Sequence, residues 1–231
     1  METQNPIHTQ GDRNITYKVD NNDDCQGYYI KNDSQIGLVV ISEWWGLNKS
    51  ICTTADNLSK LLGCQVVVPD IYRGKVAVDR EHAGHLMNGL DFSKAVNDII
   101  GGIRYLRENG CKKVAVTGFC MGGALTLATA SVSKELDMAL PFYGIPDQSY
   151  FPVENISCPV YMQVGLNDDL KGFSDPEYCE LIKSKAEKAG VKFELIKWEG
   201  AQHAFMNQDS ERLNPEVAEK ATNTLLSIIK A

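Results

Sequence analysis

The sequence predicts an α/β domain, a mostly parallel central sheet with helices on both faces, and three observations carry that expectation. The runs Ile36-Gly37-Leu38-Val39-Val40-Ile41 and Gln65-Val66-Val67-Val68 show no apolar/polar alternation, which implies strands buried on both faces, as at the centre of a parallel sheet. Segments of helical periodicity, ten or more residues long, separate the strands and so make βαβ units. A further β-branched strand, Val114-Ala115-Val116-Thr117, breaks at Gly118, presents Cys120 and continues directly into a helix-forming stretch.

Taken in order, residues 1–14 are polar and are expected to form a tail ahead of a single domain over 15–231. Residues 15–19 and 25–30 read as short strands separated by the turn-rich 20–24, an antiparallel opening pair. After the strand at 36–41, periodicity predicts a helix over 47–62 that stops at Gly63, and the strand at 65–68 runs into Pro69-Asp70. Helices are expected over 78–90 and 92–109, the second behind Asp91 as N-cap and ending at Gly110. The Gly101-Gly102 pair inside it suits close packing of helix on sheet, since a phosphate loop would follow a strand and open a helix. Beyond the cysteine strand and its helix, strands are expected at 138–143, 160–164 and 193–197, with helices at 176–189 and 215–230.

Composition narrows the class. At 231 residues and 43% hydrophobic, the chain can bury one sizeable core. Its seven cysteines, an odd number with no CxxC pair, argue against a disulfide framework and a zinc knuckle and fit a reducing compartment. The start of the chain lacks the apolar core of a signal peptide, and no apolar run is long enough to cross a bilayer, so a cytoplasmic location without membrane contact is expected. A net charge of −7 offers no basic stripe for nucleic acid. The pair His82 and His85 in Glu81-His82-Ala83-Gly84-His85 has no third ligand in view and reads as a surface helix, not a metal site.

The chemistry is expected just beyond the carboxyl ends of the strands. Gly118-Phe119-Cys120-Met121-Gly122 has the form of a nucleophile elbow with sulfur in place of oxygen: a sharp strand-to-helix turn needs small flanking residues, which Gly118 and Gly122 supply. An isolated intracellular cysteine is usually a small buried hydrophobe. The glycine two residues before Cys120 and the one two after set it apart, and the helix N-terminus that follows can stabilise a thiolate or an oxyanion. A thiol nucleophile needs a base, and the base needs an orienting partner. Of the four histidines, His203 follows the last strand, whereas His8 lies in the tail and His82 and His85 lie in a helix. An orienting acid on the loop after the strand at 160–164 can be Asp168 or Asp169, adjacent in Gly165-Leu166-Asn167-Asp168-Asp169. Glu43, at the end of the strand at 36–41, is either a solvated loop residue or a proton partner of the thiol. In α/β-hydrolases a second oxyanion donor comes from this early loop, which makes the backbone N–H groups of Trp44 and Met121 the expected pair. Trp44 and Trp45 can wall an apolar pocket or pack on the final helix.

These motifs carry a specific resemblance. The Glu43 loop ending in Gly46-Leu47-Asn48, the run Pro69-Asp70-Ile71-Tyr72-Arg73-Gly74, the elbow Gly118-Phe119-Cys120-Met121-Gly122-Gly123, and the pair Gly165-Leu166-Asn167-Asp168 and His203-Ala204-Phe205 span residues 36–230 in the order found in dienelactone hydrolases. The chain therefore resembles that family, also called carboxymethylenebutenolidases, within the α/β-hydrolase fold. The resemblance implies Asp168 as the acid, because the family's acid lies three residues after the glycine. It also implies that Glu43 contacts the resting thiol and takes its proton when substrate displaces it. It further implies ring opening of a small lactone or ester through a thioester on Cys120, with no metal or organic cofactor, in a monomer or weak dimer. Tyr72, Arg73, Tyr143 and Trp45 are the expected substrate contacts. The family's enzymes on chlorinated dienelactones hold a substrate carboxylate with two arginines; Arg73 stands one residue out of register for the first, and Asn207 occupies the place of the second, with Arg212 nearby in sequence. A glutamine-amidotransferase-like cysteine enzyme and a non-catalytic binding protein on a hydrolase scaffold are the alternatives.

Overall fold

The structure, a computed structural model, describes residues 9–19 and 23–231. Most of the tail expected before residue 15, with His8, and most of the expected opening turn fall outside these residues. Among the described residues eight strands form one sheet. They are β1 (Ile15–Lys18), β2 (Asp24–Ile30), β3 (Ile36–Ile41), β4 (Gln65–Pro69), β5 (Lys113–Phe119), β6 (Met138–Phe142), β7 (Val160–Gly165) and β8 (Phe193–Trp198). Their spatial order is β1-β2-β4-β3-β5-β6-β7-β8. The β1–β2 and β2–β4 pairs are antiparallel and the remaining five are parallel, so the opening pair forms one edge of an otherwise parallel sheet. Six α-helices stand among the described residues: α1 (Lys49–Leu62), α2 (Arg80–Asn88), α3 (Phe92–Glu108), α4 (Met121–Val132), α5 (Pro176–Lys188) and α6 (Pro215–Lys230).

Two apolar layers follow from strand alternation. On one face Val39, Ile41, Val114 and Val116 pack with Ile99 and Ile103 of α3 and Leu125 of α4. On the other, Leu38, Val40, Val66 and Val68 meet Leu58 of α1 and Leu225 of α6. The central strands are buried on both sides, as their lack of alternation predicts. The glycine pair in α3 marks a close crossing, because a Cβ on Gly101 would lie 2.6 Å from Val19 and 2.9 Å from the Tyr17 ring. Residues 9–14 lie against the domain: Gly11 N–H donates to the Leu47 carbonyl at 3.0 Å, and Arg13 Nε donates to buried Asp70 Oδ2 at 2.5 Å.

Helix capping separates α4 from the rest. In α1, α2, α3, α5 and α6 the residue before the helix is Asn48, Asp79, Asp91, Asp175 or Asn214, and in each its side chain accepts a backbone N–H of the first turn. The equivalent residue of α4 is Cys120, which makes no such side-chain cap. The first turn of α4 thus lacks the oxygen cap that the other five helices have.

The turn preceding α4 exists only because backbone passes backbone there. A Cβ on Gly123 would sit 2.1 Å from the Phe142 carbonyl oxygen, and one on Gly144 would sit 2.0 Å from the carbonyl oxygen of Cys120. Gly144→Ala is expected to lower stability by at least ~2 kcal/mol, through overpacking that neither chain can relieve. The urea midpoint measures this, and an unchanged midpoint would mean that the crossing is slack.

Candidate active site

Cys120 stands in the one-residue turn between β5 and α4 with φ 54° and ψ −115°. An L-residue holds such a conformation at a cost of about 1–3 kcal/mol. Flanking glycines make it attainable: a Cβ on Gly118 would lie 2.3 Å from the Gly122 carbonyl oxygen, and one on Gly122 would lie 2.5 Å from the Ile41 carbonyl oxygen. The second contact presses the first turn of α4 against the end of β3, whose following loop carries Glu43 and Trp44. Backbone hydrogen bonds fix the turn, Cys120 N–H donating to Phe142 O at 3.1 Å and Ala124 N–H to Cys120 O at 3.0 Å.

The loops after β7 and β8 bring two more side chains to the sulfur. His203 Nε2 lies 3.1 Å from Cys120 Sγ, and its Nδ1 lies 2.9 Å from Asp168 Oδ2. Both residues are buried. Leu170 N–H donates to the other carboxylate oxygen of Asp168 at 3.1 Å and so fixes its rotation. Asp169 points to the surface, where its carboxylate lies 3.9 Å from Arg212. Of the two aspartates, Asp168 alone is brought to His203. A residue that sequence reasoning missed joins them: buried Ser174 places Oγ 3.1 Å from His203 Nδ1. Its only sequence signal is its place on the loop of the acid, just before the Asp175 cap. The ring of Tyr143 meets that of His203 edge to face at 5.0 Å.

Glu43 approaches from the opposite side. Its carboxylate accepts a hydrogen bond from Tyr143 Oη at 3.3 Å and another from Asn207 Nδ2. It is 9% exposed, so it is no solvated loop residue.

A family model described as the dienelactone hydrolase family matches residues 25–231. The chain belongs to that family. It is 32% identical over 207 residues to the protein usf of Aquifex pyrophilus, with 84% of this chain and 87% of that one aligned. Over 187 residues it is 30% identical to a carboxymethylenebutenolidase of Pseudomonas putida, covering 75% of this chain and 76% of the relative. The crystal structure of a dienelactone hydrolase-like promiscuous phosphotriesterase from metagenomic libraries superposes with a TM-score of 0.80 at 19% identity, covering 96% of this chain and 98% of that one. That last likeness is one of fold. Membership displaces the glutamine-amidotransferase-like alternative.

In this dienelactone hydrolase family member, electrostatics differ from the sequence expectation. The helix N-terminus was expected to favour a thiolate, and Met121 N–H does bond to the sulfur and pull its pKa down. Burial and the nearby Glu43 carboxylate outweigh it and push the Cys120 thiol well above its ordinary value. That shift favours the neutral thiol at rest. Burial also raises the pKa of Glu43, against the opposing pull of His203 and the hydrogen bonds from Asn207, Tyr143 and Trp45.

Beside these residues lies a cavity of about 50 Å³, walled by Ser42, Glu43, Trp45, Phe119, Tyr143 and Asn207 among others. Trp45 and Tyr143 stand where substrate contacts were expected. Trp44 packs its ring at 5.4 Å from that of Trp45 and against the core layer on the α3 side, not on the final helix. Two of the other residues expected as substrate contacts do not line this cavity. Arg73 reaches away from the cavity to buried Asp98, Nη2 to Oδ1 at 2.6 Å, because an unpaired carboxylate there would be costly. Tyr72 is buried behind the elbow, its hydroxyl donating to Met121 Sδ at 3.2 Å. His82 and His85 lie on α2, and no cluster of three metal-ligating side chains occurs among the described residues.

Arg73→Ala should cost about 2 kcal/mol or more in stability by stranding Asp98, while leaving the KM for carboxylate-bearing and neutral esters in the same ratio. Chemical unfolding alongside ester kinetics checks both halves. Glu43→Gln removes the charge that holds the Cys120 proton, so iodoacetamide labelling of Cys120 should begin at lower pH than in the wild type. Cys120 is the one cysteine of the seven that is not buried, and peptide mass spectrometry isolates its signal. Coincident labelling profiles would show that Glu43 does not act on the thiol.

Proposed function

We propose that this chain hydrolyses small carboxylic esters, lactones foremost, by acyl transfer to Cys120. The contact series from sulfur to imidazole to carboxylate, at 3.1 and 2.9 Å, is the observation that carries the reading. Family membership supports it, since relatives at 30% identity include a carboxymethylenebutenolidase.

In this reading the thiol's proton passes to His203, directly or by way of Glu43, as substrate enters, and sulfur attacks the ester carbon. Negative charge moves to the carbonyl oxygen, which the backbone N–H groups of Met121 and Trp44 receive. Met121 N–H already faces the sulfur, which supports it in that role. Collapse breaks the C–O bond, and the departing alkoxide takes a proton from His203; in a lactone it stays on the same molecule. Water then loses a proton to His203 and attacks the thioester, the C–S bond breaks, and the thiol is restored. Asp168 holds the Nδ1–H tautomer, so that Nε2 faces sulfur, and Ser174 shares that orientation. A neutral thiol at rest keeps the nucleophile unreactive until a substrate is bound. No helix among the described residues is long and apolar enough to cross a membrane, and all seven cysteines are free, which fits work in the cytoplasm.

Cys120→Ala should fold as the wild type does and lose at least ~1000-fold in kcat/KM toward an aryl ester or γ-lactone, near the limit of measurement. Circular dichroism and steady-state rates together check this. Equal turnover by the variant would remove the acyl-enzyme reading and favour a binding protein on a hydrolase scaffold.

A further inference from the structure

Residues 9–13 cross two loops, 43–48 and 70–77, and touch both. On the first, Gly11 N–H donates to the Leu47 carbonyl at 3.0 Å and Lys49 N–H donates to the Thr9 carbonyl at 2.9 Å, around an antiparallel bridge of Gln10 with Asn48. The fit is close, because a Cβ on Gly11 would lie 2.6 Å from Leu47 Cδ2 and 2.7 Å from the Asn48 carbonyl oxygen. On the second, Arg13 Nε donates to Asp70 Oδ2 at 2.5 Å and Gln10 Nε2 to the Gly74 carbonyl at 3.3 Å. The side chain of Arg13 is 12% exposed and that of Asp70 is fully buried, so this is no solvated surface pair.

The two loops also hold each other, and they lie behind the oxyanion donors. Gly74 N–H donates to Asp70 Oδ2 at 2.6 Å and Arg73 N–H to the Asp70 carbonyl at 3.1 Å, so the carboxylate that takes Arg13 also shapes the turn 70–74. From that turn Tyr72 reaches Met121 Sδ at 3.2 Å. Ala77 N–H donates to the Trp45 carbonyl at 2.9 Å, and a Cβ on Gly46 would lie 2.7 Å from the Lys75 carbonyl oxygen. Gly46 N–H closes on the Glu43 carbonyl at 3.3 Å, which makes Glu43, Trp44 and Trp45 part of one short turn. The contacts therefore run from Arg13 through Asp70 to both Met121 and the turn of Trp44.

We propose that residues 9–13 form a strap that keeps the oxyanion hole in register, with Arg13 and Asp70 as its positioning pair. This rests on the acyl-transfer reading above, and the pair acts through Trp44, Met121 and Glu43. Backbone donors that meet charge developing in the transition state lower the barrier, so slack in the strap reduces kcat and leaves KM near its value. Slack also frees Glu43. Of the ionisable groups that bear on the sulfur, Glu43, Asp168, His203, Tyr72 and Tyr143, only Glu43 and the phenol of Tyr72 ride on the strapped loops. A displaced Glu43 no longer raises the thiol, and alkylation then begins at lower pH.

The test is the double variant Arg13→Met with Asp70→Asn, which removes both charges at once, strands neither, and keeps an acceptor for Gly74 N–H. Its melting temperature should stay near that of the wild type. Toward an aryl ester its kcat should fall at least ~10-fold with KM changed less than ~2-fold. Iodoacetamide should label Cys120 at least ~3-fold faster at neutral pH, and in a Glu43→Gln background the double variant should add nothing, since both changes act on one carboxylate. Gly11→Val, which drives the strap off Asn48 with both charges in place, should reproduce the fall in kcat. Arg13→Lys keeps the ion pair and should stay within ~3-fold of the wild-type kcat, because a single guanidinium nitrogen reaches Asp70. A folded double variant with wild-type kcat and wild-type labelling overturns the proposal, as does a raised KM at unchanged kcat. If the double variant does not fold, Gly11→Val decides by the same readouts. If the wild type cleaves no ester above the Cys120→Ala background, the acyl-transfer reading fails and the oxyanion role falls with it, whereas labelling, which needs no substrate, still reports whether the strap holds Glu43.

Discussion

Held at φ 54° and ψ −115°, Cys120 occupies a conformation that an L-residue leaves unless its surroundings forbid every other. They do forbid it, through three close approaches: Gly118 against Gly122, Gly122 against the end of β3, and Gly144 against the carbonyl of Cys120. Each is a contact of backbone with backbone, so none can relax by rotating a side chain. The consequence reaches past the turn itself. Gly122 on Ile41 sets the loop of Glu43 beside the first turn of α4, and Gly144 brings the chain after β6, with Tyr143, under the sulfur. One crossing thus fixes the nucleophile, the carboxylate opposite it and the wall of the cavity.

Around that fixed sulfur, burial and charge work against each other. Burial raises the thiol pKa, the neighbouring carboxylate raises it further, and the helix N-terminus lowers it; the balance lies upward, towards the neutral thiol. Glu43 is itself disfavoured as an anion by burial, so the two groups compete for one stable arrangement of charge. Proton movement between them changes the net charge of the site not at all, which allows sulfur to be activated without importing a charge from solvent.

Much of this was legible in the sequence. Continuous apolar runs specify the central strands, and β3 and α6 lie where periodicity puts them, at Ile36–Ile41 and Pro215–Lys230. The elbow was legible because steric need restricts residue type: only glycine fits where backbones touch. Asp168 and Asp169 were not separable by residue pattern, since neighbouring residues in a loop point in directions that only the turn decides; the family spacing pointed to Asp168. Arg73 misled for a different reason. Its loop ends near the site, but a long side chain goes to the strongest local field, and Asp98, on a helix that follows in sequence, is invisible as a partner until α3 is packed. Glu43 and Asn207 are 164 positions apart, and no local signal joins them.

That last contact bears on reactivity. Asn207 is no member of the chain of contacts from sulfur to Asp168, yet it holds the carboxylate that raises the pKa of the thiol. A cation at this position, by favouring the ionised form of Glu43, would alter how readily that group accepts the thiol proton. A change at residue 207 therefore alters the rate on every substrate. The amide at 207 holds Glu43 without placing a net charge beside it, so the carboxylate's effect on the sulfur is left to burial and to His203.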